Sequence, residues 1–142
     1  MDIDDDGIEE LLIGENWWGE GQIWDIYTIR DCKMIHTVSG GTRCRYYLCE
    51  NGIIAYEGSS GADSSCYEYY HYVGQSLDAS GTVGFIEAVL YDGLRDSEHP
   101  WFHSFTSSLD EEMQPISEKT AQEIMDSYVY QNIDFILFVG EE

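Results

Sequence analysis

Short alternations of apolar and polar residues, punctuated by turn dipeptides, fill the first two thirds of the chain. Ile23–Arg30, rich in Trp, Tyr, Ile and Thr, predicts a strand. Asp31-Cys32 makes a corner, and Lys33–Ser39 runs back. Gly40-Gly41 is a two-residue turn signal, Arg43–Glu50 a strand, and Asn51-Gly52 a strong hairpin signal, because both of its central positions accept positive φ. Ile53–Gly58 returns, residues 58–64 read as a loop, and Ser65–Val73 is a further strand carrying Tyr67, Tyr69, Tyr70 and Tyr72. Val73-Gly74 turns the chain, Gln75–Leu77 begins the next segment, and Phe85–Tyr91 is a strand closed by Asp92-Gly93. Residues 92–115, which hold both prolines, read as a polar connection.

The period then changes. Ala121, Ile124, Met125, Tyr128 and Val129 fall at i, i+3, i+4, i+7 and i+8, one apolar face of a helix. Ser117 is a good N-cap for it, and Glu118 suits its first turn. The pattern predicts a helix over 116–130 and a closing strand over 133–139. The expected fold is mainly β (α+β). It is a single domain with an antiparallel β-meander over 23–91, one C-terminal helix packed on the sheet through Ala121, Ile124, Met125 and Tyr128, and a final strand.

A turn at Gly40-Gly41 pairs Ser39 with Thr42, and the same register sets Cys32 opposite Cys49. If the chain holds a disulfide, Cys32–Cys49 is the expected pair; four free thiols are the alternative. No C-x-x-C is present, and the cysteine spacing does not suit zinc.

Composition changes the picture at one point. The chain has 28 acidic against 6 basic residues, a formal net charge of −22. No basic face can be built for nucleic acid or an anionic membrane. Aromatics make up 14% of the residues, enough to support a core despite the charge. No apolar run is long enough to span a membrane, and no basic n-region precedes an apolar stretch, so no signal peptide is expected in the chain as given. The first 29 residues carry nine acids and no Lys or Arg.

Within that stretch, Asp2-Ile3-Asp4-Asp5-Asp6-Gly7-Ile8-Glu9-Glu10-Leu11-Leu12-Ile13 reads D-x-D-x-D-G-x-x-E-L-L-I. Calcium takes six to eight hard oxygens at about 2.3–2.6 Å. Alternate carboxylates from Asp2, Asp4 and Asp6 converge when the backbone winds round an ion, and Gly7 permits the sharp turn. The Ile8 carbonyl and Glu10 complete the expected shell. Ile8 and the run Leu11–Ile13 are expected to anchor the loop in the core. The place of the twelfth-position acid of a full EF-hand loop is taken by Ile13, and the exit reads as strand, so no helix–loop–helix is expected.

This segment resembles the calcium loops of EF-hand-like and integrin-type (FG-GAP) repeat proteins. It is most similar to the D-x-D-x-D-G-x-x-E-L segment of secreted proteins and lipoproteins of Gram-positive gut bacteria. The tyrosine-rich meander and the closing I-S-x-x-x-A-x-x-I-x-x-Y helix resemble those lipoproteins more loosely. The resemblance implies an extracellular or cell-surface location in a parent protein, and a calcium ion, rather than a reaction. The loop starts at residue 2, which reads as a fragment of a longer chain.

Other chemistry is sparse. His99 and His103 are four apart, but Pro100 spoils a helical metal pair. His36 and His71 read as sheet residues. Trp17-Trp18 offers a stacking platform for a sugar or peptide, and the Tyr67–Tyr72 cluster offers aromatic area whose default role is packing. No nucleophile–base–acid pattern, G-x-S-x-G or phosphate loop occurs, so no enzyme is expected. Two functional classes follow. One is a non-catalytic domain of a surface or secreted protein, stabilised by calcium. The other is a small acidic cytosolic inhibitor, an immunity protein or nucleic-acid mimic, with a basic protein partner.

Overall fold

The computed structural model describes residues 1–17, 20–75, 84–106 and 113–136, with the side chains of Trp17 and Glu20 left aside. The strands are β1 (Leu11–Trp17), β2 (Glu20–Arg30), β3 (Lys33–Ser39), β4 (Cys44–Leu48), β5 (Ile53–Gly61), β6 (Ser64–His71), β7 (Phe85–Asp92), β8 (Trp101–Ser104) and β9 (Gln114–Pro115), followed by helix α1 (Glu118–Asp126). All nine strands belong to one antiparallel sheet in the order β1-β2-β4-β5-β6-β7-β8-β9, with β3 pairing β2. The expected mainly β fold with one helix packed on an antiparallel sheet is the fold observed. Among the described residues no helix is long and apolar enough to cross a membrane.

Period-two alternation sorts the side chains to two faces. Leu48, Ile54 and Tyr70 are ladder partners on one face, and Tyr47, Ala55 and Tyr69 on the other. The first face gathers Ile23, Ile26, Val38, Tyr46 and Tyr72 with them, and Ile3 and Ile133 cap this core. Ile23, Ile26 and Ile54 are fully buried, each contributing about 1.5–3 kcal/mol relative to exposure. The second face is aromatic and is covered by Met125, Tyr128 and Tyr130.

Several expectations need correction. Gly40-Gly41 does not join a β3–β4 hairpin. The corner expected at Asp31-Cys32 does close a β2–β3 hairpin, both residues taking positive φ, and β4 pairs with β2 rather than β3, through Gln22↔Tyr47 and Ile23↔Tyr46. Cys32 therefore sits exposed at a hairpin tip and Cys49 is buried beside Tyr130, so the Cys32–Cys49 pair fails; all four cysteines are free.

The helix is shorter than 116–130. Ser117 caps it as expected, its hydroxyl accepting from the Thr120 amide at 3.1 Å, and Ala121 is fully buried beneath it. It ends at Asp126 because Tyr128 and Tyr130 both turn to the sheet, stacking on Tyr69 and Tyr47. Residues two apart share a side only in extended chain. Val129, expected on the helix face, is 54% exposed.

No strand forms over 133–136; the remainder of the expected 133–139 strand lies outside the described residues. Ile133 and Phe135 lie instead across Gly21 and Gly14, and a Cβ on Gly14 would meet the Phe135 ring at 2.6 Å. The connection at 92–115 also contains β8 and β9, and the 58–64 loop shortens because β5 runs on to Gly61. Gln75 stays outside any strand, and the rest of the expected Gln75–Leu77 segment lies outside the described residues.

Candidate metal centre

The N-terminal ten residues form a closed loop laid against the first face of the sheet. The Glu10 amide donates to the Met1 carbonyl at 2.7 Å, and the Met1 amine to the Glu10 carbonyl at 3.3 Å. Between these ends the chain winds through positive φ at Asp5 (58°) and Gly7 (88°). The Asp2 carboxylate accepts the Asp6 amide at 3.2 Å and the Gly7 amide at 2.9 Å. Asp6 accepts the Ile8 amide at 2.8 Å. These short-range bonds hold the side chains of alternate aspartates toward the loop interior, as short polar side chains do in tight turns.

The result is convergence. One carboxylate oxygen from each of Asp2, Asp4, Asp6 and Glu10 lies within 4.8 Å of all the others. Oxygens on a calcium shell of radius 2.3–2.6 Å are at most about 4.6–5.2 Å apart, so the four fit around one calcium-sized ion. The structure thus brings together all four acidic residues expected from the sequence. Ile8 enters the loop through its amide, and its carbonyl is the fifth expected ligand.

The electrostatics are those of a site short of positive charge. Glu10 is 4% exposed, and its carboxylate accepts the Ile3 amide at 2.7 Å and the Thr28 hydroxyl at 3.1 Å. Burial nevertheless pushes its carboxyl above the usual range, opposed by those two donors and reinforced by the charges of Asp4 and Asp6. Burial raises the Asp4 carboxyl as well, neighbouring Asp6 and Asp2 add to it, and the backbone amides of Asp4 and Asp6 oppose it. Asp4 Oδ1 is buried with no hydrogen-bond partner, the one such side-chain atom among the described residues. A buried acceptor left bare costs about 1–3 kcal/mol, more if charged. A cation at the convergence point removes that cost for Asp4 and the mutual repulsion for all four.

The loop's anchor differs in part from the one expected: Leu12 packs against the first core, but Ile8 and Leu11 do not hold the loop. Ile8 and Leu11 are 38% and 51% exposed, whereas Ile3 is 8% exposed and belongs to the core. Ile3 is seated over the turn between β4 and β5, where a Cβ on Gly52 would meet the Ile3 carbonyl oxygen at 2.6 Å. Thr28 and Gly52 were not among the residues singled out from sequence. Thr28 carried one signal: it falls in phase with Ile26 in β2, a hydroxyl on the buried face. Gly52 was legible as a turn residue, but not as the floor under Ile3.

The remaining candidates do not assemble. His103, in β8, has Nε2 at 2.9 Å from Glu87, while His99 lies in the preceding loop. His36 bonds Asp25 and stacks on Tyr27, and His71 is an exposed β6 residue. The Tyr67–Tyr72 cluster is divided between the two cores, with Tyr67 and Tyr69 in one and Tyr70 and Tyr72 in the other. The Trp17-Trp18 platform lies outside what the structure describes. Comparison of the chain with family models, with curated proteins and with solved structures returned no match.

Proposed function

We propose that this chain is a non-catalytic domain of a bacterial surface or secreted protein, and that calcium bound by Asp2, Asp4, Asp6, the Ile8 carbonyl and Glu10 is a structural ion that fastens the N-terminal loop to the sheet. The observation that carries the ion is the unpartnered, buried Oδ1 of Asp4 inside a cluster of four converging carboxylates. The surface location rests on the resemblance of residues 2–13. A structural rather than catalytic role accords with how the other partly buried acids are used. Glu57, Glu68 and Glu87 each accept a tyrosine hydroxyl, from Tyr130, Tyr70 and Tyr128 respectively, and the bonds to Glu57 and Glu87 tie the segment after α1 to the sheet.

The test is thermal melting with calcium, magnesium or chelator. Calcium at a hundredfold excess over its dissociation constant stabilises by about 2.7 kcal/mol. Magnesium should do less, because it demands a tight octahedron and gives up water reluctantly. Asp4→Ala and Asp6→Ala should abolish the difference, and the effect should fade below about pH 4, where protons compete for the same oxygens. A melting temperature unmoved by millimolar calcium would refute the ion.

A further inference from the structure

The outer edge of β1 is open among the described residues. β1 heads the strand order and pairs with β2 on one side, and no other described strand pairs with its far side. The strand itself is unbroken, since the extra residue where its pairing shifts is Trp24, in β2. Beside it runs a groove of about 720 Å³ between Leu11–Gly14 and the segment from Asn132 to Ile136. Leu11 is 51% and Ile136 91% exposed, so the groove offers apolar surface to water.

The shape of that surface selects an extended occupant. Alternation puts Leu12 on the side of the first core, next to Phe135, and Leu11 and Ile13 on the other. A chain laid along β1 would set one row of its side chains beside Leu12 and Phe135 and the other beside Leu11, Ile13 and Glu15, while its backbone pairs with an edge that no described strand occupies.

Charge selects among extended chains. Neither residues 1–29 nor residues 127–136 contain a Lys or Arg, and Glu9, Glu15 and Asp134 are exposed around the groove. A second copy of this chain would bring a further net charge of −22 to the same place. We propose that β1 is a docking edge for an extended segment of a partner protein that alternates apolar residues with Lys or Arg and adds to the sheet as a further strand. The proposal does not depend on the ion.

The probe is a synthetic peptide of alternating Lys and Val, matched to the seven residues of β1. A second peptide of the same sequence is N-methylated at alternate backbone positions, which keeps charge and apolar surface but removes the ladder donors. Fluorescence anisotropy measures binding, and amide exchange by NMR locates it. The unmodified peptide should bind, weaken with salt, and protect amides between Leu11 and Asn16. The methylated peptide should bind about tenfold or more weakly. Leu11→Gln, at a half-exposed site that leaves the net charge unchanged, should weaken binding about fivefold with the melting temperature retained. Equal binding of the two peptides, or protection confined to residues 2–10, would mean charge attraction alone and overturn the proposal. Binding seen only after truncation behind Ile136 would assign the groove to the chain's own last residues. Self-association at rising concentration, with no peptide binding, would assign it to a second copy.

Discussion

Replacing Tyr128 with Phe removes a single hydroxyl from the joint between the helical segment and the sheet. That hydroxyl donates to Glu87 Oε1 at 2.6 Å, while His103 holds Glu87 Oε2 at 2.9 Å. The acceptor is a partly buried carboxylate, its side chain 16% exposed. A hydrogen bond to a charged group in that setting is worth about 1.5–3 kcal/mol. The Phe ring keeps the stack on Tyr69, whose centroid is 3.7 Å away, so the loss isolates the polar term. Because His103 still serves Glu87, the cost should fall in the lower half of the range, about 1.5–2 kcal/mol. For a chain of this size each kcal/mol moves the melting temperature by about 3 °C, so a drop of about 5 °C is expected. Urea unfolding monitored by circular dichroism gives the free energy directly, and a double-mutant cycle with Glu87→Gln gives the coupling. A loss under about 0.5 kcal/mol, or additivity of the two substitutions, would refute the idea that this bond fastens the segment after α1.

Three further outcomes are expected. Burial holds the Glu68 carboxyl above its usual value, against the Tyr70 hydroxyl and the Cys66 thiol that donate to it. A carboxyl raised in the folded state favours folding when protonated, and that contribution is lost as pH rises from the unfolded value through the folded one. Glu68→Gln should therefore be near neutral at pH 4 and increasingly stabilising towards pH 8 in a melting series; a constant difference would contradict the sign. Gly52→Ala places a Cβ against the Ile3 carbonyl oxygen at a residue with φ of 69°, and should cost more in urea unfolding than the about 1–2 kcal/mol that positive φ alone imposes on alanine; a loss no larger than that would mean Ile3 is not seated there. Thiol titration of the native protein should give two fast sites, the exposed Cys32 and Cys44, and two slow ones, Cys66 and the buried Cys49, whose thiol is pushed up to about 12 by burial; mass spectrometry finding a Cys32–Cys49 bridge would overturn the β2–β3 hairpin.

Much of the sheet was legible because its strands are short, alternating and punctuated. Lys33–Ser39 matches its expected bounds, and Phe85 begins β7 where expected. What failed was non-local. Gly40-Gly41 and Asp31-Cys32 are both acceptable turns, and composition does not say which one closes a hairpin; the choice is made by burial of Val38 against Ile26, a contact between strands. The closing helix was over-read because Tyr128 fits both a helical period and the two-residue spacing with Tyr130, and only the aromatic partners on the sheet decide between them. In the loop, the spacing of Asp2, Asp4, Asp6 and Glu10 marked the convergence, and short-range amide bonds fix the Asp2 and Asp6 carboxylates. Its seating was hidden, because Ile3, Thr28 and Gly52 meet only when three separate segments come together.

The abundance of tyrosine has a physical reading in the scarcity of cations. Six Lys and Arg cannot neutralise 28 acids, so carboxylates drawn into the sheet need neutral donors. Tyrosine supplies an apolar ring for packing and a hydroxyl at its tip. Tyr130 thus serves Glu57, Tyr70 serves Glu68 and Tyr128 serves Glu87, and Thr28 performs the same service for Glu10. Each bond helps an acid sit partly out of water, with Arg45 beside Glu57 and His103 beside Glu87, and all but the Tyr70–Glu68 bond, which lies within β6, fasten one segment to another. The device has a limit set by reach. The loop around Asp4 is built from short side chains, and no tyrosine hydroxyl bonds Asp2, Asp4 or Asp6 among the described residues; the donors there are backbone amides, which are taken up by Asp2, Asp6 and Glu10. Asp4 is left over. Where neutral donors run out and four carboxylates still converge, protonation or a cation lowers the energy; well above the usual carboxylate range a cation is the more effective of the two, which is why calcium is proposed at this loop and not at the acids on the sheet.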